Sequence, residues 1–173
     1  MTEKPLHMEL LSLPGNLCFG CGEENPNGLR ISVYRDAKAP NRILGEFDPG
    51  PHMIGFPGIT HGGAIYTALD CMATWCGMVL RKTKAMWVLR SATMTYHRPA
   101  FQNQPILLLA AIEKEGAEWE AIEVLAEARD SAGNLLADGR FKVIPVPPEK
   151  FKAMTGIDAH PEGWVNWLDD RCT

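Results

Sequence analysis

His61-Gly62-Gly63 opens an apolar run, Ala64 to Leu80, whose one charged residue is Asp70. A run of that length, rich in Ala, Leu and Met, predicts a buried helix rather than a strand. The start of such a helix presents backbone N–H groups without intrahelical partners, together with the positive end of the helix dipole. Glycines there let another molecule come close to the backbone. That chemistry suits an anion, or an oxygen that turns anionic in a transition state. Asp70 stands eight residues beyond Gly62, about 12 Å along the axis, too far to act on the same carbonyl within one chain. Two chains paired about a two-fold axis could bring Asp70 of one to the His61-Gly62 turn of the other. There it could serve as general base or as nucleophile. Plainer readings stand beside this one: a glycine pair as turn geometry, Asp70 as an anchor for a neighbouring loop, His61 as a structural imidazole.

The elements that must hold these residues can be read in chain order. Leu6 to Leu13 suggests a short helix stopped by Pro14-Gly15, and Asn25-Pro26-Asn27-Gly28 is a loop signal. Leu29 to Arg35 alternates Leu29, Ile31 and Val33 against Arg30, Ser32 and Tyr34, as a half-buried strand does. Arg42 to Phe47 is its hairpin partner, and Asp48 to Thr60, with three Pro and three Gly, is a loop. After the helix, Met86 to His97 reads as a strand with the hydroxyls of Ser91, Thr93 and Thr95 in one row. Ile106 to Lys114, Glu118 to Asp130 and Leu135 to Val143 follow, so that four strands run in meander. Glu120, Ile122, Val124, Ala126 and Ala128 share one face, as do Leu135, Ala137, Phe141 and Val143. The sum is an α+β domain of about six mostly antiparallel strands curled around one helix. It divides into an N-terminal extension, 1–27, a main domain, 28–147, and a tail, 148–173. In the tail Trp164, Trp167 and Leu168 have the spacing of a docking helix.

Composition narrows the class. With 173 residues and 46% apolar content the chain fits one domain with a sound core. A net charge of −4, a pI near 5.7 and no basic stripe argue against nucleic acid as partner. No export signal is evident, and the apolar run is broken by Asp70 and by Arg81-Lys82. A cytoplasmic protein without membrane insertion is the expectation. The five cysteines then read as reduced thiols. Cys18 and Cys21 form a Cys-Phe-Gly-Cys-Gly turn, but no second pair supplies a four-ligand zinc site, and the reading is a tight turn with no metal and no cofactor.

Pro57-Gly58-Ile59-Thr60-His61-Gly62-Gly63-Ala64-Ile65, with Asp70 nine residues after His61, resembles the hotdog-fold acyl-CoA thioesterases of the phenylacetate-pathway type. Tyr96-His97-Arg98-Pro99 is similar to the stretch closing their next strand, and Cys18 to Leu29 resembles the N-terminal signature of a subgroup. The likeness runs from about Cys18 to Val146. It implies a hotdog fold and hydrolysis of an acyl-CoA thioester, in a homodimer or a dimer of dimers. The Gly62 amide would polarise the thioester carbonyl, His61 would help place it, and Asp70 of the adjoining subunit would act as base or nucleophile. Gly63, His52, Phe56 and Ser91 would line the substrate, with Arg90 and Arg98 near the CoA phosphates. Two departures stand out. Many relatives carry Asn or Gln shortly before His-Gly-Gly, and none occurs here between Arg42 and Phe101, where Gly55, Phe56 and His52 hold that neighbourhood. Several relatives hold the water with Ser or Thr on the next strand, where Leu89 falls here and Ser91 would be one pleat further on the same face. The alternatives are a non-catalytic acyl-CoA binder or sensor and, behind it, a hotdog hydratase or dehydratase using His52 with Asp70.

Overall fold

The computed structural model describes residues 8–159 and Trp164. Seven strands form one sheet, all neighbours antiparallel: β1 Met8–Leu11, β2 Ser32–Asp36, β3 Arg42–Phe47, β6 Met86–Tyr96, β7 Ile106–Lys114, β8 Ile122–Arg129 and β9 Leu135–Val146. Their order is β1-β2-β3-β7-β8-β9-β6. Between β3 and the main helix, a 3-10 turn at Pro51–Met53 leads into a two-stranded ribbon, β4 Ile54–Phe56 and β5 Ile59–Thr60. Helix α1, Gly62–Leu80, lies in the curl of the sheet against β3 and β6 to β9, and a short α2, Pro148–Thr155, follows β9.

Twelve of the nineteen residues of α1 are buried, Ala68, Leu69, Met72, Ala73 and Cys76 completely. Burying a side chain such as Leu69 or Met72 is worth about 1.5–3 kcal/mol. By length and mean hydropathy, 1.3, the helix could cross a bilayer, so Asp70 does not break the run as the sequence suggested; here the sheet encloses it. The inner face of the sheet makes room with small residues. Ala110, Ala126 and Gly139 lie in one register row, and an added Cβ at Gly45 would stand 2.8 Å from Met72 Sδ. Gly77 meets the Trp87 indole so closely that a Cβ there would fall 2.3 Å from Cδ2.

The alternation assigned to β8 and β9 holds within the strands, where Ile122, Val124, Ala126, Ala128, Phe141 and Val143 are fully buried, but Glu120 lies ahead of β8 and is exposed, and Leu135, at the start of β9, is half-buried. Four readings need correction. Met8–Leu11 is an edge strand on β2, because so short a segment gains more from the open β2 edge than from a single helical turn. The last four strands are not a meander, since β6 pairs with β9 while β7 pairs with β3. Tyr34 is buried, its hydroxyl 3.3 Å from Glu46 Oε1. Finally, β9 runs through Pro145 and ends at Val146, and Pro148 starts α2, where the missing N–H costs nothing. In the tail, the Trp164 indole donates to Pro14 O at 2.8 Å; the Trp167 and Leu168 of the expected docking helix lie outside the described residues.

Candidate active site

Pro57-Gly58 turns the β4–β5 ribbon, with Gly58 at φ +78°, the left-handed position a Pro-Gly turn needs. The ribbon is held on both sides: Thr60 N donates to Ala100 O at 2.8 Å and His61 N to Met53 O at 2.7 Å. His61 is thereby fixed in extended conformation, φ −62° and ψ 135°, as the cap of α1. Its Nδ1 accepts from Gly63 N at 2.8 Å, which requires the neutral ring with the proton on Nε2. Ala64 N is taken by His61 O. The Gly62 N–H is then left without a protein acceptor among the described residues.

Gly62 opens into a cleft of about 410 Å³ between the ribbon, the start of α1 and the ends of β6 and β9. Phe56, Ile59, Ile65, Pro99 and Leu136 give it apolar walls, and His61, Tyr96 and Arg98 give it polar ones. Tyr96 packs against the helix start. Its hydroxyl donates to Gly62 O at 3.0 Å, and a Cβ at residue 62 would be only 3.3 Å from its ring. Arg98 also donates to Leu135 O at 3.0 Å, and His97 is paired with Asp138. Thr60 Oγ1, on the cleft wall, is buried with no partner.

Asp70 does not line this cleft in its own chain. It is half-buried, its Oδ1 is enclosed without a hydrogen-bond partner, and its pKa is raised, first by burial and then by the nearby Cys18. The chain therefore carries the electropositive helix start and, about 12 Å along the axis, a carboxyl whose enclosed Oδ1 has no hydrogen-bond partner among the described residues.

The other residues singled out in the sequence scatter. Phe56 is 74% exposed at the mouth of the cleft, and Arg98 lies on its wall. Gly63 is spent on the His61 cap, where a Cβ would meet Nδ1 at 2.9 Å. His52 is exposed on the 3-10 turn and does not line the cleft. A bulge between Leu89 and Ser91 puts an extra residue into β6. Leu89 packs inward, but Ser91 and Thr93 face outward, onto a shallow surface with Glu123, Arg140 and Lys142. The expectation that Ser91 shares the face of Leu89 fails for that reason. Arg90, at the bulge, is exposed. Tyr96 and Thr60 join the cleft although their spacing in the sequence does not single them out. Tyr96 was within reach of the pattern, since it shares the inward phase of Ala92 and Met94 once the bulge is known.

A curled antiparallel sheet around one central helix, with a glycine-bearing helix start facing a cleft, defines the hotdog class. The thioesterase superfamily model matches residues 57–131, which span β5, α1 and β6 to β8. The chain has the hotdog fold, and over that stretch, less than half of its length, it is similar to the thioesterase superfamily. Solved structures agree in fold. The E. coli PaaI protein from the phenylacetic acid degradation operon superposes with a TM-score of 0.60 at 16% identity, over 69% of this chain and 81% of that one. Zebra fish thioesterase superfamily member 2 gives 0.61 at 22% identity, over 72% and 90%. A hypothetical thioesterase from Streptococcus pneumoniae, solved with coenzyme A, gives 0.56 at 11% identity, over 61% and 82%. No curated protein matches the chain in sequence.

Proposed function

We propose that this protein hydrolyses an acyl-CoA thioester to a free acid and CoA, at a site completed between two copies of the chain. The observation that carries the reading is the division of labour just described: a free Gly62 N–H at the cleft and an unpartnered Asp70 carboxyl away from it. The thioester oxygen takes the Gly62 amide, whose pull strengthens as the oxygen gains charge. His61 fixes the helix start and borders the carbonyl. Asp70 of the adjoining subunit either takes a proton from the attacking water or attacks the carbonyl carbon itself; in both cases CoA leaves as the thiol and water supplies the new acid oxygen. The acyl group lies along Phe56, Ile59 and Leu136, and the CoA phosphates lie toward Arg98 and Arg90. Homodimers, alone or stacked in pairs, follow from the shared site. The solved relative that holds coenzyme A supports CoA as the leaving group.

A panel of short, medium, long and aromatic acyl-CoAs, with free thiol monitored, tests the reading. Thiol release is expected for at least one class, and Asp70→Asn should lower kcat by about 10²–10⁴-fold. Thioester binding without turnover by the wild type would overturn it in favour of a binder.

A further inference from the structure

Cys18, Cys21 and Cys71 come together although 53 residues separate the first from the last. Their three sulfurs all lie within 4.8 Å of one another, with Cys71 buried on α1 and Cys18 exposed. We propose that these three thiols form a binding site for a zinc-class divalent ion, which fastens the N-terminal turn to α1 at the residue after Asp70.

The spacing of the sulfurs has the right size. Zinc–thiolate bonds of 2.3 Å at tetrahedral angles put sulfurs about 3.8 Å apart. The Cys18–Cys71 Sγ separation is 3.8 Å. A disulfide would need about 2.05 Å. The turn is also built to present its sulfurs. Gly22 N closes it on Cys18 O at 2.9 Å, and a Cβ at Gly22 would sit 2.5 Å from that oxygen. A Cβ at Gly20 would be 2.3 Å from Cys71 Sγ, so glycine is what lets the turn lie against the helix. Leu29 N to Phe19 O, 2.8 Å, and Ile31 N to Gly20 O, 3.1 Å, tie it to the chain ahead of β2.

Outside the sulfurs, Asn16 is 6% exposed and braces both cysteines of the turn. Its Oδ1 accepts from Cys18 N at 3.0 Å, while its Nδ2 donates to Cys21 O at 3.2 Å and reaches Cys21 Sγ at 3.5 Å. A donor amide on a ligating sulfur is the outer support that thiolate metal sites use. Soft thiolates select zinc-like ions over magnesium or calcium. Binding would displace the thiol protons, and solvent would complete the coordination. Sequence spacing does not reveal the set, because the third thiol comes from the core helix and not from a second Cys pair.

The full chain, stripped of metal with a chelator and kept reduced, should be titrated with Co2+ and then Zn2+. One equivalent of Co2+ is expected to give thiolate-to-cobalt absorption, which Zn2+ abolishes, and Zn2+ should raise Tm. Cys18→Ser changes an exposed side chain and should leave the fold intact by circular dichroism. It should weaken Co2+ binding beyond the roughly 10–100-fold seen when only an outer partner is lost. Cys21→Ser should do the same, while Cys76→Ala, elsewhere on α1, should not. Folded, reduced protein without the cobalt band, or a band unchanged in Cys18→Ser and Cys21→Ser, would overturn the assignment. Both readouts are independent of thioester turnover.

Discussion

If the carboxyl and the helix-start amide of one active site belong to different chains, two inactive variants should rescue each other. The first is Asp70→Asn, nearly isosteric. The second is Gly62→Pro, which deletes the one N–H in question. Proline is tolerated at the first helical position, and His61 already holds the extended conformation required ahead of a proline. Gly62→Ala is the control: it brings the same Cβ to 3.3 Å from the Tyr96 ring but keeps the N–H. Against that control, loss of one oxyanion donor should lower kcat by about 10²–10³-fold. In an equimolar mixture refolded together, a site is intact only when Asp70 comes from the proline variant and Gly62 from the asparagine variant. Random pairing makes that about a quarter of all sites, whether dimers stand alone or stack. Thiol release should therefore return to about a quarter of wild type, from parents that are each at about 1% or less. With both groups in one chain no combination is intact, and a mixture no more active than its parents would refute the two-chain site. The axial offset of about 12 Å, against a working reach of about 3 Å or one intervening water, is what makes the one-chain outcome unexpected.

Two further outcomes follow from packing and charge. Gly77→Ala drives a methyl into the buried Trp87 indole, 2.3 Å from Cδ2, and should cost roughly 1–3 kcal/mol or more in denaturant unfolding; a loss under about 0.5 kcal/mol would show that the indole can move aside. Asp130 accepts from Asn134 Nδ2 at 2.9 Å, Asn134 N at 2.8 Å and Ala132 N at 3.0 Å, and these bonds, the Asn134 side chain first, hold its carboxyl below the ordinary 3.8. Its charge stabilises the turn above that value, and the gain is lost as the pH falls through the lowered pKa. The Tm difference between wild type and Asp130→Ala should accordingly shrink from about pH 6 to about pH 2; a constant difference would remove the charge from the account.

What could be read from the chain and what could not divides along the range of the interactions. Helix α1 announces itself because its apolar run, its glycine start and its cap are all local. The same holds for β8, where Ile122, Val124, Ala126 and Ala128 carry the period of two without interruption. Alternation, however, fixes only the relative phase within a strand. It does not say that Tyr34 will be covered on the outer side, nor that one extra residue near Arg90 will turn Ser91 out and Tyr96 in. That extra residue shapes the cleft, since without it Tyr96 would point to the other face of the sheet and Gly62 O would lose its donor. Pairing is more remote still. Whether β6 meets β7 or crosses to β9 depends on which edge the curl of the sheet leaves open, and Cys71 meets Cys18 only because the turn at Gly20 has no side chain to hold it off. The helix start was therefore legible because it is local, whereas the walls of the cleft and the sulfur cluster are products of closure. Asp70 belongs with neither: its isolation in an apolar run marks it at once, but nothing local to that run says what its carboxyl faces.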